Sequence, residues 1–215
     1  MNQTLKKITD NKIIAILRRL NEKDIYKIVD ALVEGDIQVI EITADTENIL
    51  PIIENLKKKY ATQLTIGVGT VLHPDRIASF IQAGASFILS PNVNEAVIQH
   101  TKKLGAISIP GAFTPSEIVC AYEYGADIVK VFPANRFGPS YIKDLQAPLP
   151  HIPLLPTGGI DETNIGQYLQ MDCAGFGVSS GLHTNCMDPN SDQLKTITET
   201  AKKLVEQAQG VRRNA

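Results

Sequence analysis

No run in this sequence approaches the ~20 consecutive apolar residues of a membrane-spanning helix. Its opening, MNQTLKKITDN, also lacks the apolar stretch of a signal peptide. Both absences set the expectation of a cytoplasmic protein with no membrane partner. Charge of one sign is scarce too: 21 basic residues against 23 acidic ones leave a net charge of -2. With no basic patch interleaved with aromatics, nucleic acid is not an expected partner either. Cysteine is limited to Cys120, Cys173 and Cys186, without a CxxC pair, which implies reduced thiols rather than a disulfide framework. The four histidines, His73, His100, His151 and His183, form no HxH or HExxH spacing. Neither a catalytic metal nor a cofactor is therefore expected.

What is present is alternation. A 215-residue chain with 43% hydrophobic and 20% charged residues suits one soluble domain with a substantial core. In EKDIYKIVDALV, residues Ile25, Ile28, Val29 and Leu32 recur at i, i+3, i+4 and i+7, one face of an amphipathic helix. Ile49, Ile52, Ile53 and Leu56 repeat the pattern, as do Leu194, Ile197, Ala201 and Leu204. Between helices lie the short apolar runs IIAIL, VIEI, TIGVG, FILS, AISIP, IVKVF, PLLPT and AGFGV, which suit parallel strands covered by helices. With Ile16, Ile40, Gly67, Ile88, Ile109, Lys130, Leu155 and Gly177 as strand centres, successive gaps are 24, 27, 21, 21, 21, 25 and 22 residues. Glycine in AGAS, LGAI and YGAD falls where a helix ends before the next strand. These features predict an α/β fold: a single (β/α)8 barrel over residues 1–215, with a short N-terminal helix. An open doubly wound sheet fits less well, because no GxGxxG follows the first strand.

In such a barrel, reactive groups sit at the C-terminal ends of strands. Lys130 lies at the centre of the sixth predicted strand, IVKVF, and Glu41 in the second, VIEIT. Taking an ammonium out of water is expensive, and a buried lysine tends to lose its proton. The pair has two readings: a buried structural ion pair, or a lysine nucleophile attended by a proton-transfer carboxylate. Polar strand ends at Thr43, Thr70, Ser90, Thr157 and Ser180 surround them and favour the second. The glycine-rich turns LPTGGI and GFGVSSGL close the seventh and eighth strands, where barrels of this kind hold phosphate. Arg18 closes the first strand, and its planar fork suits a substrate carboxylate. Thr114 and Glu117 of TPSE need no catalytic explanation, since they spell a helix capping box with proline at the first helical position.

The motifs IAILR, VIEIT, GVGTVL, SPN, IPGAFTPSE, VKVFPAN, PTGGI and GFGVSSGL occur in order from about Ile13 to Leu182. Together they resemble the class I 2-keto-3-deoxy-phosphogluconate (KDPG) / 4-hydroxy-2-oxoglutarate (KHG) aldolases and the related 2-keto-3-deoxy-phosphogalactonate (KDPGal) aldolases. The resemblance implies a metal-free barrel, usually a homotrimer, that splits a 2-keto acid into pyruvate and an aldehyde, glyceraldehyde 3-phosphate or glyoxylate. It implies Lys130 as Schiff-base lysine and Glu41 as general acid/base. It further implies Arg18, Thr70, Pro91 and Thr157 around the substrate, and Gly158, Gly159 and Ser180 at its phosphate. One departure stands out. The phosphogluconate branch carries arginine shortly after the glutamate, in TLRT, whereas this chain has TADT with Ala44 and Asp45. AILR and FGPSYIK match the phosphogalactonate branch, while Thr157 matches the phosphogluconate one. The residues also leave open a phosphate-binding barrel enzyme without covalent catalysis, an isomerase or transferase, and a non-catalytic binding protein.

Overall fold

A computed structural model describes residues 2–183 and 188–212, with backbone alone for residues 211 and 212. The helical and strand periods resolve into alternating elements. The first strand, β1 (Ile13–Leu17), is preceded by helix α1 (Gln3–Asn11) and followed by α2 (Glu22–Glu34). Strands β2 (Val39–Thr43), β3 (Thr65–Gly69), β4 (Phe87–Leu89) and β5 (Ile107–Ile109) follow, with α3 (Ile49–Tyr60), α4 (Ile77–Ala83) and α5 (Glu95–Lys103) between them. After β6 (Gly111–Ala112) come α6 (Pro115–Glu123), β7 (Val129–Val131), α7 (Gly138–Gln146), β8 (Leu154–Pro156), α8 (Ile165–Tyr168), β9 (Phe176–Val178) and α9 (Ser191–Arg212).

Among the described residues all strand pairings are parallel, in a curled six-stranded sheet ordered β5-β4-β3-β2-β1-β9 and a three-stranded sheet ordered β6-β7-β8. The predicted strands are thus parallel and alternate with helices, but their ladders fall into two sheets, and the cause of the division lies in the fifth predicted strand. Pro110 divides it into β5, which pairs with β4, and β6, which pairs with β7. Proline has no N–H to donate, so the ladder breaks there, while its carbonyl still accepts from Lys130 N at 2.9 Å. On the other side, a single parallel bridge, Thr157 to Gly177, joins the end of β8 to β9.

Strand alternation separates two apolar groups. Ile40, Ile42, Val129, Val131 and Phe176 point outward and pack against the helices. Ile14, Val39, Phe87, Ile107, Ile109, Ile128 and Leu155 form an inner cluster, closed at the N-terminal ends of the strands by Ile8 and Leu5 of α1. The lower interior is therefore filled with hydrocarbon, and any cavity must lie above it, at the strands' C-terminal ends.

Junction chemistry follows the sequence. Gly84, Gly105 and Gly125 take φ of 119°, 77° and 101° at the ends of α4, α5 and α6, a left-handed geometry that glycine reaches without a Cβ clash. Thr114 and Glu117 form the capping box that starts α6, with Pro115 in its first turn. Two backbone N–H bonds and the Thr114 hydroxyl hold the Glu117 carboxyl below its usual range. Such a cap contributes about 1 kcal/mol to a helix. Cys120 and Cys173 are free thiols. Burial pushes the Cys173 thiol up to about 12, so it stays protonated and unreactive at neutral pH. Cys186 lies outside the described residues. No helix among the described residues is long and apolar enough to cross a membrane.

Candidate active site

Period two along each strand lifts polar groups onto the hydrocarbon floor. On β2, Val39 belongs to the inner cluster, and Glu41 and Thr43 follow it on the same face. Along the chain through β7, Ile128 is succeeded by Lys130 and then Phe132; at the end of β8, Leu155 is succeeded by Thr157. The nine site residues named from the sequence, Lys130, Glu41, Arg18, Thr70, Pro91, Thr157, Gly158, Gly159 and Ser180, line one cavity of ≈ 160 Å³ above that floor; Ser90, named with the polar strand ends, does not, and its hydroxyl donates to Asn92 O at 2.6 Å. The volume is below the roughly 300–1,000 Å³ of drug-sized ligand sites. This is a small cavity with an open rim.

Lys130 is 7% exposed and Glu41 only 2%, yet the two form no ion pair with each other. A structural pair would close on itself. Instead Glu41 Oε2 is buried without a hydrogen-bond partner, as is the Thr43 hydroxyl two residues on. Leaving a buried acceptor unsatisfied costs about 1–3 kcal/mol, more for a charged one, so stability does not account for this carboxylate. Lys130 Nζ lies 5.2 Å from the Phe132 ring centroid, and the ring covers one side of the amine. What remains is an amine and a free carboxylate facing a small cavity. That arrangement can attack a carbonyl and move a proton.

The rim carries polar groups and a tightly bent loop. Arg18 Nη2 lies 3.5 Å from the Thr70 hydroxyl across the mouth. Thr70 has φ of 58°, a costly conformation for a β-branched residue, about 1–3 kcal/mol, of a kind that concentrates at functional sites. Opposite them, Gly158 and Gly159 have φ of 101° and 69°, bending the loop after β8 inward. Ser180 is exposed at the edge. Asp45 is exposed and does not line this cavity; with Leu72 and Arg76 it borders a separate depression beyond Thr70.

Five further residues line the cavity: Ile16, Thr43, Phe132, Gly177 and Ser179. Thr43 was visible as a polar strand end and Ser179 as part of the GFGVSSGL turn, but Phe132 was not recognised, although it sits two positions after Lys130. His183 also went unrecognised; its Nε2 lies 2.9 Å from Ser179 Oγ, behind the rim. A larger cavity of ≈ 450 Å³ lies at the opposite end of the strands, around Lys12 and Cys173. None of the buried unsatisfied atoms of the described residues faces it, so size does not make it the reactive site. Among the described residues no group of three or more His, Cys, Asp or Glu side chains is placed to hold a metal ion.

The family model described as "Aldolase: KDPG and KHG aldolase" matches residues 4–199. The chain belongs to the KDPG and KHG aldolase family. As a member it is an aldolase, a carbon–carbon lyase. This aldolase is 33% identical over 172 residues to the 2-dehydro-3-deoxy-6-phosphogalactonate aldolase of Escherichia coli K12, covering 80% of this chain and 84% of that protein. It is 35% identical over 159 residues to the 2-dehydro-3-deoxy-phosphogluconate aldolase of Pseudomonas aeruginosa, covering 74% and 72%. Among solved structures it is similar to the KDPG aldolase of Legionella pneumophila with pyruvate captured at low pH as a covalent carbinolamine intermediate. That match has a TM-score of 0.81 at 26% identity and covers 94% of this chain and 97% of that one.

Proposed function

We propose that this aldolase cleaves a 2-keto-3-deoxy-6-phospho sugar acid of the gluconate or galactonate series through an imine on Lys130. The observation that carries the reading is a buried amine and a buried, unpartnered carboxylate in one cavity, without an ion pair between them. The Lys130 amine adds to the keto carbon to form a carbinolamine, which loses water to give a protonated imine. Glu41 removes the proton from the hydroxyl two carbons away from the imine carbon. The bond from that hydroxyl-bearing carbon to the carbon next to the imine breaks, its electrons pass to the imine as an enamine, and glyceraldehyde 3-phosphate departs. Glu41 returns its proton to the enamine carbon. Water then hydrolyses the imine, releasing pyruvate and the free amine.

Arg18 holds the carboxylate in this reading. Among the described residues it is the one cationic side chain lining the cavity besides Lys130, and Asp45 does not line it. Gly158, Gly159 and Ser180 hold the phosphate, Thr70 and Thr157 flank the reacting carbons, and Pro91 forms part of the wall. The proposal takes residues 1–215 as one unit and the two sheets as a single closed (β/α)8 barrel. The Thr157–Gly177 bridge and the one-residue gap between β5 and β6 support that closure. The proposal includes self-association as a trimer, as the family resemblance implies.

The test is pyruvate release, followed by coupled reduction to lactate, from the gluconate- and galactonate-series 6-phospho acids and their unphosphorylated counterparts. At least one phospho acid is expected to be cleaved with a kcat/KM about 100-fold or more above its unphosphorylated form, since charge-assisted hydrogen bonds contribute about 1.5–3 kcal/mol each. No pyruvate from either phospho acid would overturn the assignment.

A further inference from the structure

We infer that Gly69 is a positioning residue whose missing side chain forms the slot that aims the Glu41 carboxylate, an inference that rests on Glu41 being the acid/base group. In the register of β2 and β3, Glu41 pairs with Gly67 and Thr43 with Gly69. The Glu41 side chain therefore runs along β3 and ends over Gly69 rather than over its own partner. A Cβ placed on Gly69 would meet Glu41 Oε1 at 1.6 Å, Cδ at 2.3 Å and Cγ at 2.7 Å, and these are the three nearest atoms. The carboxylate occupies the space of the absent methyl group.

Backbone geometry gives no other reason for glycine there. Gly69 is absent from the glycines with positive φ, so alanine suits its torsion angles. The next residue, Thr70, has the left-handed φ of 58° that glycine would adopt more cheaply. The chain has thus put its glycine where space demands it, not where torsion does.

The slot orients the carboxylate without hydrogen-bond donors. Donors would fix a carboxylate by stabilising its charge and would weaken it as a base. Here Oε1 rests against Gly69, and Oε2 is left without a protein partner, free to take the substrate proton. A second strand repeats the device: a Cβ on Gly177 would lie 2.4 Å from Thr157 Oγ1.

The experiment combines Gly69→Ala with Glu41→Ala for stability, and with Glu41→Gln for turnover. Gly69→Ala alone should lower the melting temperature by about 5 °C or more, as overpacking of a core does. In the Glu41→Ala background the same substitution should change it little, because the obstructing atoms are gone. Should Gly69→Ala fail to fold, folding of the double variant supports the slot, and its failure to fold overturns it. The single variant should lose about 100-fold or more in kcat with KM within a few-fold, and Gly69→Ala added to Glu41→Gln should cost little further. Equal thermal penalties in both backgrounds, or wild-type kcat in Gly69→Ala, would overturn the inference. Wild-type turnover in Glu41→Gln would instead overturn the acid/base reading beneath it, and the thermal coupling, which needs no turnover, tells the two failures apart.

Discussion

Replacing Lys130 by methionine is expected to lower kcat on the order of 10⁵-fold or more while the fold survives. The size follows from the chemistry: without the amine there is no imine, and without the imine the breaking bond has no electron sink. Methionine is unbranched and of similar length, so it fills the space beside Phe132 without overpacking. It also replaces a buried polar group that forms no ion pair with Glu41, so the melting temperature should hold or rise. Single-turnover assays and circular dichroism on the same preparation decide the matter. Residual activity within 100-fold of wild type in a folded Lys130→Met protein would mean that this lysine does not make the covalent bond.

Glu41→Gln has the second largest expected effect, a fall in kcat of about 10²–10⁴-fold. Glutamine keeps the shape that fits against Gly69 but cannot take a proton. Carbon–carbon cleavage should slow while the amine can still condense with pyruvate, so a long incubation with pyruvate and borohydride should still mark the protein. This split separates proton transfer from nucleophilic attack. Equal loss of cleavage and of condensation would move Glu41 from the cleavage step to imine formation.

Much of the architecture was legible because parallel strands buried on both faces leave short apolar runs that differ from the 3.6-residue period of the helices. Gly84, Gly105 and Gly125 marked helix ends because a left-handed φ leaves few alternatives to glycine. Lys130 and Glu41 stood out because a charge inside an apolar run needs a reason. The split at Pro110 was harder to see. ISIPGA reads as one strand, and only the register shows that its halves bond to different neighbours. The demand for glycine at position 69 was hidden altogether, since it comes from a side chain 28 positions earlier in the sequence. Ser179 and His183 met for a related reason: a four-residue spacing in a loop carries no periodic signal.

The most direct test of the covalent mechanism is to incubate the protein with pyruvate, add borohydride and map the modified peptide by mass spectrometry. One reduced pyruvyl group per chain on Lys130 is the predicted result, absent from Lys130→Met. No adduct, or one on a different lysine, would contradict it.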